Sequence, residues 1–228
     1  MFGFSVVLAA ASCDLRLGLA ETGALASVPF AGVALAFPWG YYADTRGRRR
    51  ALLWSSTVGF ISATLSGFAS NWQIMLALKM FGCLFSTASF TLTMTYLGEC
   101  TGPKLRDRYI FIVTAVNLSS EFVSFALAYF LLPLDFNFPV SWLSITFRPW
   151  RLLTIIMASV LGFGALMMYF LEETPKFLAD AGASGETIRV LGRMYERNGG
   201  MTNGYPVRTT VFFNSRRINP YKCFRDVY

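Results

Sequence analysis

The chain has 228 residues, 54% of them hydrophobic and only 14% charged, whereas a soluble domain of this length carries about a quarter charged residues. Twenty-two Phe and long apolar runs place it in the membrane class. Its formal charge of +7 is spread over short clusters between those runs, which argues against a nucleic-acid surface and for a polytopic membrane protein.

The first 12 residues are apolar but reach only ~18 Å of a ~30 Å hydrocarbon core at ~1.5 Å per residue. They read as the second half of a helix whose first half is missing from this chain, and they lack the basic start of a signal peptide. Five runs then approach the ~20 apolar residues that a span needs. These are Gly23 to Tyr42, interrupted by Pro29 and Pro38, then Ala51 to Phe68, Trp72 to Leu97, Tyr109 to Pro133 and Leu152 to Leu171. In the third, Thr87, Ser89, Thr91, Thr93 and Thr95 alternate as a strand would. A lone strand in lipid leaves its backbone unsatisfied, so helix is expected, with hydroxyls that line a cavity or bond their own i−4 carbonyls.

Connections alternate in charge. Arg46, Arg48, Arg49 and Arg50 follow the first full span, and Lys104, Arg106 and Arg108 follow the third. The positive-inside rule makes those sides cytoplasmic. Leu134 to Arg151 then falls outside, where Arg148 and Arg151 run against the rule. Beyond Leu171 the composition turns polar, with Ile188, Leu191 and Met194 in helical spacing. An amphipathic cytoplasmic helix from Glu186 to Arg197 is predicted, ended by Gly199 and Gly200. The expected organisation is thus a helical bundle over 1–171, a cytoplasmic helical segment over 172–200 and an irregular tail over 201–228.

There is no His, and Cys13, Cys83, Cys100 and Cys223 show no metal-ligand spacing, so neither metal nor cofactor is predicted. Polar residues within the spans are few. Glu121 lies near the middle of its run, in NLSSEF, together with Asn117. A carboxylate at mid-bilayer faces a cavity, a partner or a proton. Lys79, in the preceding span, is a candidate ion-pair partner if the two faces meet. Glu121, Asn117 and Lys79 form the candidate intramembrane polar site.

The stretch WGYYADTRGRRR, Trp39 to Arg50, carries the most specific pattern. Gly40 suits close helix approach, Asp44 suits the start of a helix, and Gly47 suits a tight turn. Its spacing resembles the signature loop between the second and third helices of the major facilitator superfamily. Gly40, Asp44, Gly47 and Arg49–Arg50 match, while Thr45 stands where the family has a cation. YLGECTGPKLRD, with Glu99 and Arg106, resembles the segment after the fourth helix of sugar-porter-like members. LEETPKFL resembles the segment after the sixth. FRPWRLL and CDLRL look like the synaptic vesicle glycoprotein 2 branch and its organic-ion-transporter relatives.

The resemblance implies an all-α membrane protein, the N-terminal six-helix half of such a transporter with its first helix cut short. It implies a small-molecule solute, a lipid bilayer of plasma or vesicle membrane, and a second transporter half or a homodimer to complete the cavity. Asp44, Arg48, Glu99 and Arg106 would be gating residues of a cytoplasmic latch, in a motif that includes Gly40, Gly47 and Arg49. A non-transporting membrane binding or regulatory protein of the vesicle-glycoprotein type is the other expectation. An enzyme is not predicted, because the motif positions hold no nucleophile, base and metal constellation.

Overall fold

The computed structural model of the chain describes residues 3–140 and 145–199. In chain order these form α1 (Phe4–Asp14), α2 (Leu19–Leu35), α3 (Phe37–Arg46), α4 (Arg48–Ser66), α5 (Trp72–Cys100) and α6 (Pro103–Leu131). Strands β1 (Phe138–Val140) and β2 (Ile145–Phe147) follow, then α7 (Pro149–Tyr169), α8 (Pro175–Asp180) and α9 (Ser184–Arg197). The 201–228 tail, and Trp142 in the 134–151 connection, lie outside the described residues.

Among the described residues, α5, α6 and α7 are each long and apolar enough to cross a membrane. The run expected to be one span from Gly23 to Tyr42 is instead two helices, α2 and α3, bent by 40° and passing the same test only as a pair. Pro38, in the first turn of α3, accounts for the break. Its ring removes an N–H donor and clashes with the carbonyl four residues back. Pro29 stays inside α2. The expected span Ala51 to Phe68 forms α4, which is less apolar than α5, α6 and α7: it starts with three arginines and carries Ser55, Ser56, Ser62 and Ser66 on its buried side.

Those serines define the central seam. α4 is packed between α5 and α7, and α2 lies on the other side of α5. Ser89 of α5 donates to Ser55 at 2.9 Å and lies 3.2 Å from Ser56, while Ser62 donates to the Leu78 carbonyl at 2.8 Å. Small residues let the backbones close in. A Cβ on Gly32 of α2 would come within 2.9 Å of Cys83 Cβ, and one on Gly162 of α7 within 2.8 Å of the Phe60 ring. Gly40, expected at such a contact, has open space beside it.

The alternating hydroxyls of α5 sit in a helix. Thr87, Thr91, Thr93 and Thr95 each donate to the carbonyl four residues earlier. An apolar core at one end of the bundle gathers Val7, Leu8 and Ala11 of α1, Leu25, Met75, Ala128, Trp150 and Leu153. A second, at the arginine-rich end, gathers Ala43, Ala51, Leu52 and Leu92.

Two further differences from expectation are local. The connection between α6 and α7 contains an antiparallel hairpin, with Phe138 opposite Phe147 and Val140 opposite Ile145. The amphipathic helix starts at Ser184, two residues before Glu186, and buries Val190 and Leu191. α8 packs against it.

Candidate functional site

The arginine-rich turn closes over a buried ion network. Arg48, the first residue of α4, is buried, and its Nη2 lies 2.8 Å from Asp44 Oδ1. Its Nε lies 3.0 Å from Glu99 Oε2, an ion pair whose N–H is not aimed for a hydrogen bond. Nη1 donates to the Ala43 carbonyl at 3.3 Å, and the guanidinium carbon sits 5.5 Å from the Phe177 ring centre. Glu99, near the end of α5, also accepts from Thr174 Oγ1 at 2.8 Å and lies 3.5 Å from Lys176 Nζ. Thr174 is wholly buried and caps α8, accepting from the Phe177 N–H at 3.3 Å. The Asp44 side chain, by contrast, is 67% exposed.

Gly47 and Glu173 form the second half of this site. Gly47 holds φ at 104°, and a Cβ there would come within 2.4 Å of Glu173 Oε2. The carboxylate occupies that space and accepts from the Arg49 N–H at 2.9 Å and the Thr174 N–H at 3.1 Å. It satisfies a donor that the start of α4 leaves open, where the helix dipole favours an anion. Asp44 was expected in that role; it lies inside α3 and pairs one turn on with Arg48. Arg49 Nη2 donates to the Tyr169 carbonyl at 2.6 Å, tying α4 to the end of α7. Arg106, in the first turns of α6, has its Nε 4.0 Å from the position of a Cβ on Gly98.

The intramembrane candidates are not brought together. The Lys79 ammonium lies 5.0 Å from the Phe4 ring centre, a cation–π contact with α1. Glu121 and Asn117 are half-buried on α6, and no ion pair joins Glu121 to Lys79 among the described residues. α6 packs sparingly, with Ser124 and Ala128 as its buried residues among those described.

At the opposite end of the bundle a second network joins two of the quoted motifs. Asp14 Oδ1 lies 2.9 Å from Arg148 Nη1, and its Oδ2 accepts from Trp150 Nε1 at 3.0 Å. Arg151 Nη2 stands 3.7 Å from the same oxygen, and its Nη1 donates to the Gly67 and Ala69 carbonyls at 3.0 and 2.8 Å. Trp150 and Arg151 are buried. The two cations that ran against the charge rule are thus held by a carboxylate and by carbonyls within the protein.

The family model described as Major Facilitator Superfamily matches residues 1–220. This chain belongs to the major facilitator superfamily. Curated relatives include the Arabidopsis thaliana organic cation/carnitine transporter 7, 27% identical over 185 residues, covering 80% of this chain and 34% of that protein. The synaptic vesicle glycoprotein 2A of Homo sapiens is 26% identical over 212 residues, covering 91% of this chain and 28% of its own length. The chain therefore spans about a third of the length of these relatives. Among solved structures, the proton:xylose symporter XylE matches with a TM-score of 0.70 at 16% identity, over 83% of this chain and 44% of that one. That likeness shows the fold.

Membership in this superfamily places the chain in a family of integral, multi-pass membrane transporters. Glu173, Thr174 and Asp14, like Lys176, Arg148, Trp150 and Arg151, join these networks without being among the candidate residues of the sequence. Each sat inside a quoted motif, and the available signal was a charged, hydroxyl or indole residue beside a proline or a span end.

Proposed function

We propose that this chain forms the N-terminal six-helix half of a carrier that moves a small organic solute by alternating access. In this reading α1 belongs to the first span, α2 and α3 to the second, and α4 to α7 to the third through sixth. α8 and α9 are then cytoplasmic, as the arginine-rich turn requires under the positive-inside rule. A second half, or another copy, supplies the other wall of a solute cavity.

The observation that carries this reading is the asymmetry of the Arg48 network. Arg48 and Glu99 are buried and paired, with Glu99 held by Thr174, while the carboxylate of Asp44 projects from them at 67% exposure. A buried, paired arginine that presents one exposed carboxylate suits a latch that a facing half engages in one state and releases in the other. Glu121, a half-buried carboxylate on the sparsely packed α6, is the group assigned to solute or proton coupling.

The test is uptake into proteoliposomes by this chain joined to, or mixed with, a matching second half. The solutes are carnitine and D-xylose, which the relatives' names contain, and tetraethylammonium as a simple organic cation. Uptake of one of them, altered in rate or pH dependence by Glu121→Gln, supports a carrier. Insertion without flux of any of the three supports a non-transporting membrane protein of the vesicle-glycoprotein type. The longer match to the vesicle glycoprotein, 91% of this chain against 80% for the cation carrier, favours keeping that second reading.

A further inference from the structure

α5 carries two charged residues, and they are held differently. Glu99 belongs to the Arg48 network, whereas no carboxylate among the described residues pairs with Lys79. The Asp14 carboxylate of α1 is taken up by Arg148 and Trp150. What the Lys79 ammonium meets is the Phe4 ring of α1, 5.0 Å away at its centre. A ring face attracts a cation but carries no opposite charge to neutralise it.

The direction of the side chain is informative. Lys79 lies ~10 Å along α5 from Trp72. Phe4 opens α1, and Asp14, at the other end of that helix, is ~15 Å away. Val7 and Leu8 of α1 and Met75 of α5 share one core, so the Asp14 end of α1 and the Trp72 end of α5 lie on the same side of the bundle. An ammonium beside Phe4 is therefore no shallower than its own Cα. A lysine that served topology alone would reach the other way, its charged head snorkelling to the headgroups. Lys79 and Phe4 are both half-buried, so the pair keeps an open side.

We propose that Lys79 binds a carboxylate of the transported solute, with the Phe4 ring steadying the ammonium from one side. The substrate class is then a small organic solute that carries a carboxylate. As a solute contact this rests on the carrier reading and narrows it. A cation kept within a span without a counter-ion is unfavourable, and a solute that brings the missing charge offsets this when it binds. An uncharged sugar or a simple organic cation does not.

The test is reductive methylation of the full chain in phosphatidylcholine nanodiscs, read at each lysine by peptide mass spectrometry. Carnitine, benzoate and uncharged benzamide are compared. The two carboxylates should slow methylation of Lys79 several-fold and leave the exposed Lys104 unchanged, while benzamide should slow neither. Rates at Lys79 that ignore both carboxylates, or equal slowing by benzamide, overturn the proposal. The chain joined to a second half separates two sources of the anion. Protection of Lys79 there without any solute means that a carboxylate of that half holds it, which also overturns the proposal. Uptake by the joined protein tests the carrier reading separately: Lys79→Gln should raise the KM for carnitine several-fold, and Lys79→Arg should bring it back. Protection without wild-type uptake of any solute supports the anion site and removes the carrier.

Discussion

Gly47 combines a backbone angle of 104° with a missing Cβ whose place is taken by the Glu173 carboxylate. Alanine there meets both obstacles at once. Strain of this kind is worth about 1–3 kcal/mol, and displacing Glu173 also leaves the Arg49 N–H at the start of α4 without its acceptor. Gly47→Ala should therefore lower the thermal unfolding midpoint of the detergent-solubilised chain well below that of Gly40→Ala, since Gly40 has open space beside it. Equal midpoints would remove Glu173 from this role. Glu99→Gln is the sharper probe of the network. It leaves Arg48 buried with Asp44, a carbonyl and the Phe177 ring as its remaining partners, and breaking a buried pair costs about 3–5 kcal/mol. Its loss should exceed that of Asp44→Asn, whose carboxylate is mostly solvated. At this scale the sequence was half legible. The spacing of Gly47, Arg48 and Glu99 was visible as motif, but Glu173 lies 124 residues from the N–H it accepts, and no local pattern encodes such a pairing.

Elements were easier to read than their contacts, because apolar runs of span length are a property of the chain alone. The bend between α2 and α3 was foreshadowed by Pro38, yet whether a proline kinks or splits a span depends on what neighbouring helices offer the freed carbonyls. The α2–α5 seam depends on Gly32, whose missing side chain leaves Cys83 backbone atoms 3.0 and 3.1 Å from the Cβ position. A leucine there cannot be admitted unless the helices part. Gly32→Leu should cost about 1–3 kcal/mol, as overpacking does, and lower the thermal midpoint; Gly164→Leu, at a position with open space, serves as the control and should leave it near wild type. The alternating Thr and Ser residues of α5 show the limit of periodicity. Their spacing fitted a strand, and in the expected helix it left cavity lining and i−4 bonding open; Thr87, Thr91, Thr93 and Thr95 make i−4 bonds, and Ser89 joins Ser55 and Ser56 of α4.

At the scale of the whole molecule, ion networks among the described residues hold the bundle at both of its ends. The network at Asp14 joins the end of α1, the turn after α4 and the start of α7. Asp14→Asn should destabilise the chain, and a double-mutant cycle with Arg148→Gln should reveal coupling of about 0.5–3 kcal/mol. Additive losses would mean that the ion pair contributes nothing of its own. This link was not legible, because charge counting along a loop treats Arg148 and Arg151 as solvent-facing, whereas tertiary structure turns them inward. Both networks are attached to one helix. Trp150 and Arg151 sit in the first turn of α7, and Glu173 and Thr174 lie just beyond its end. At 3.6 residues per turn, α7 sets the angular phase between them. A point substitution in the middle of α7 preserves that phase. Deleting a single residue there would rotate one end by ~100° against the other, so that only one of the two networks could stay in register.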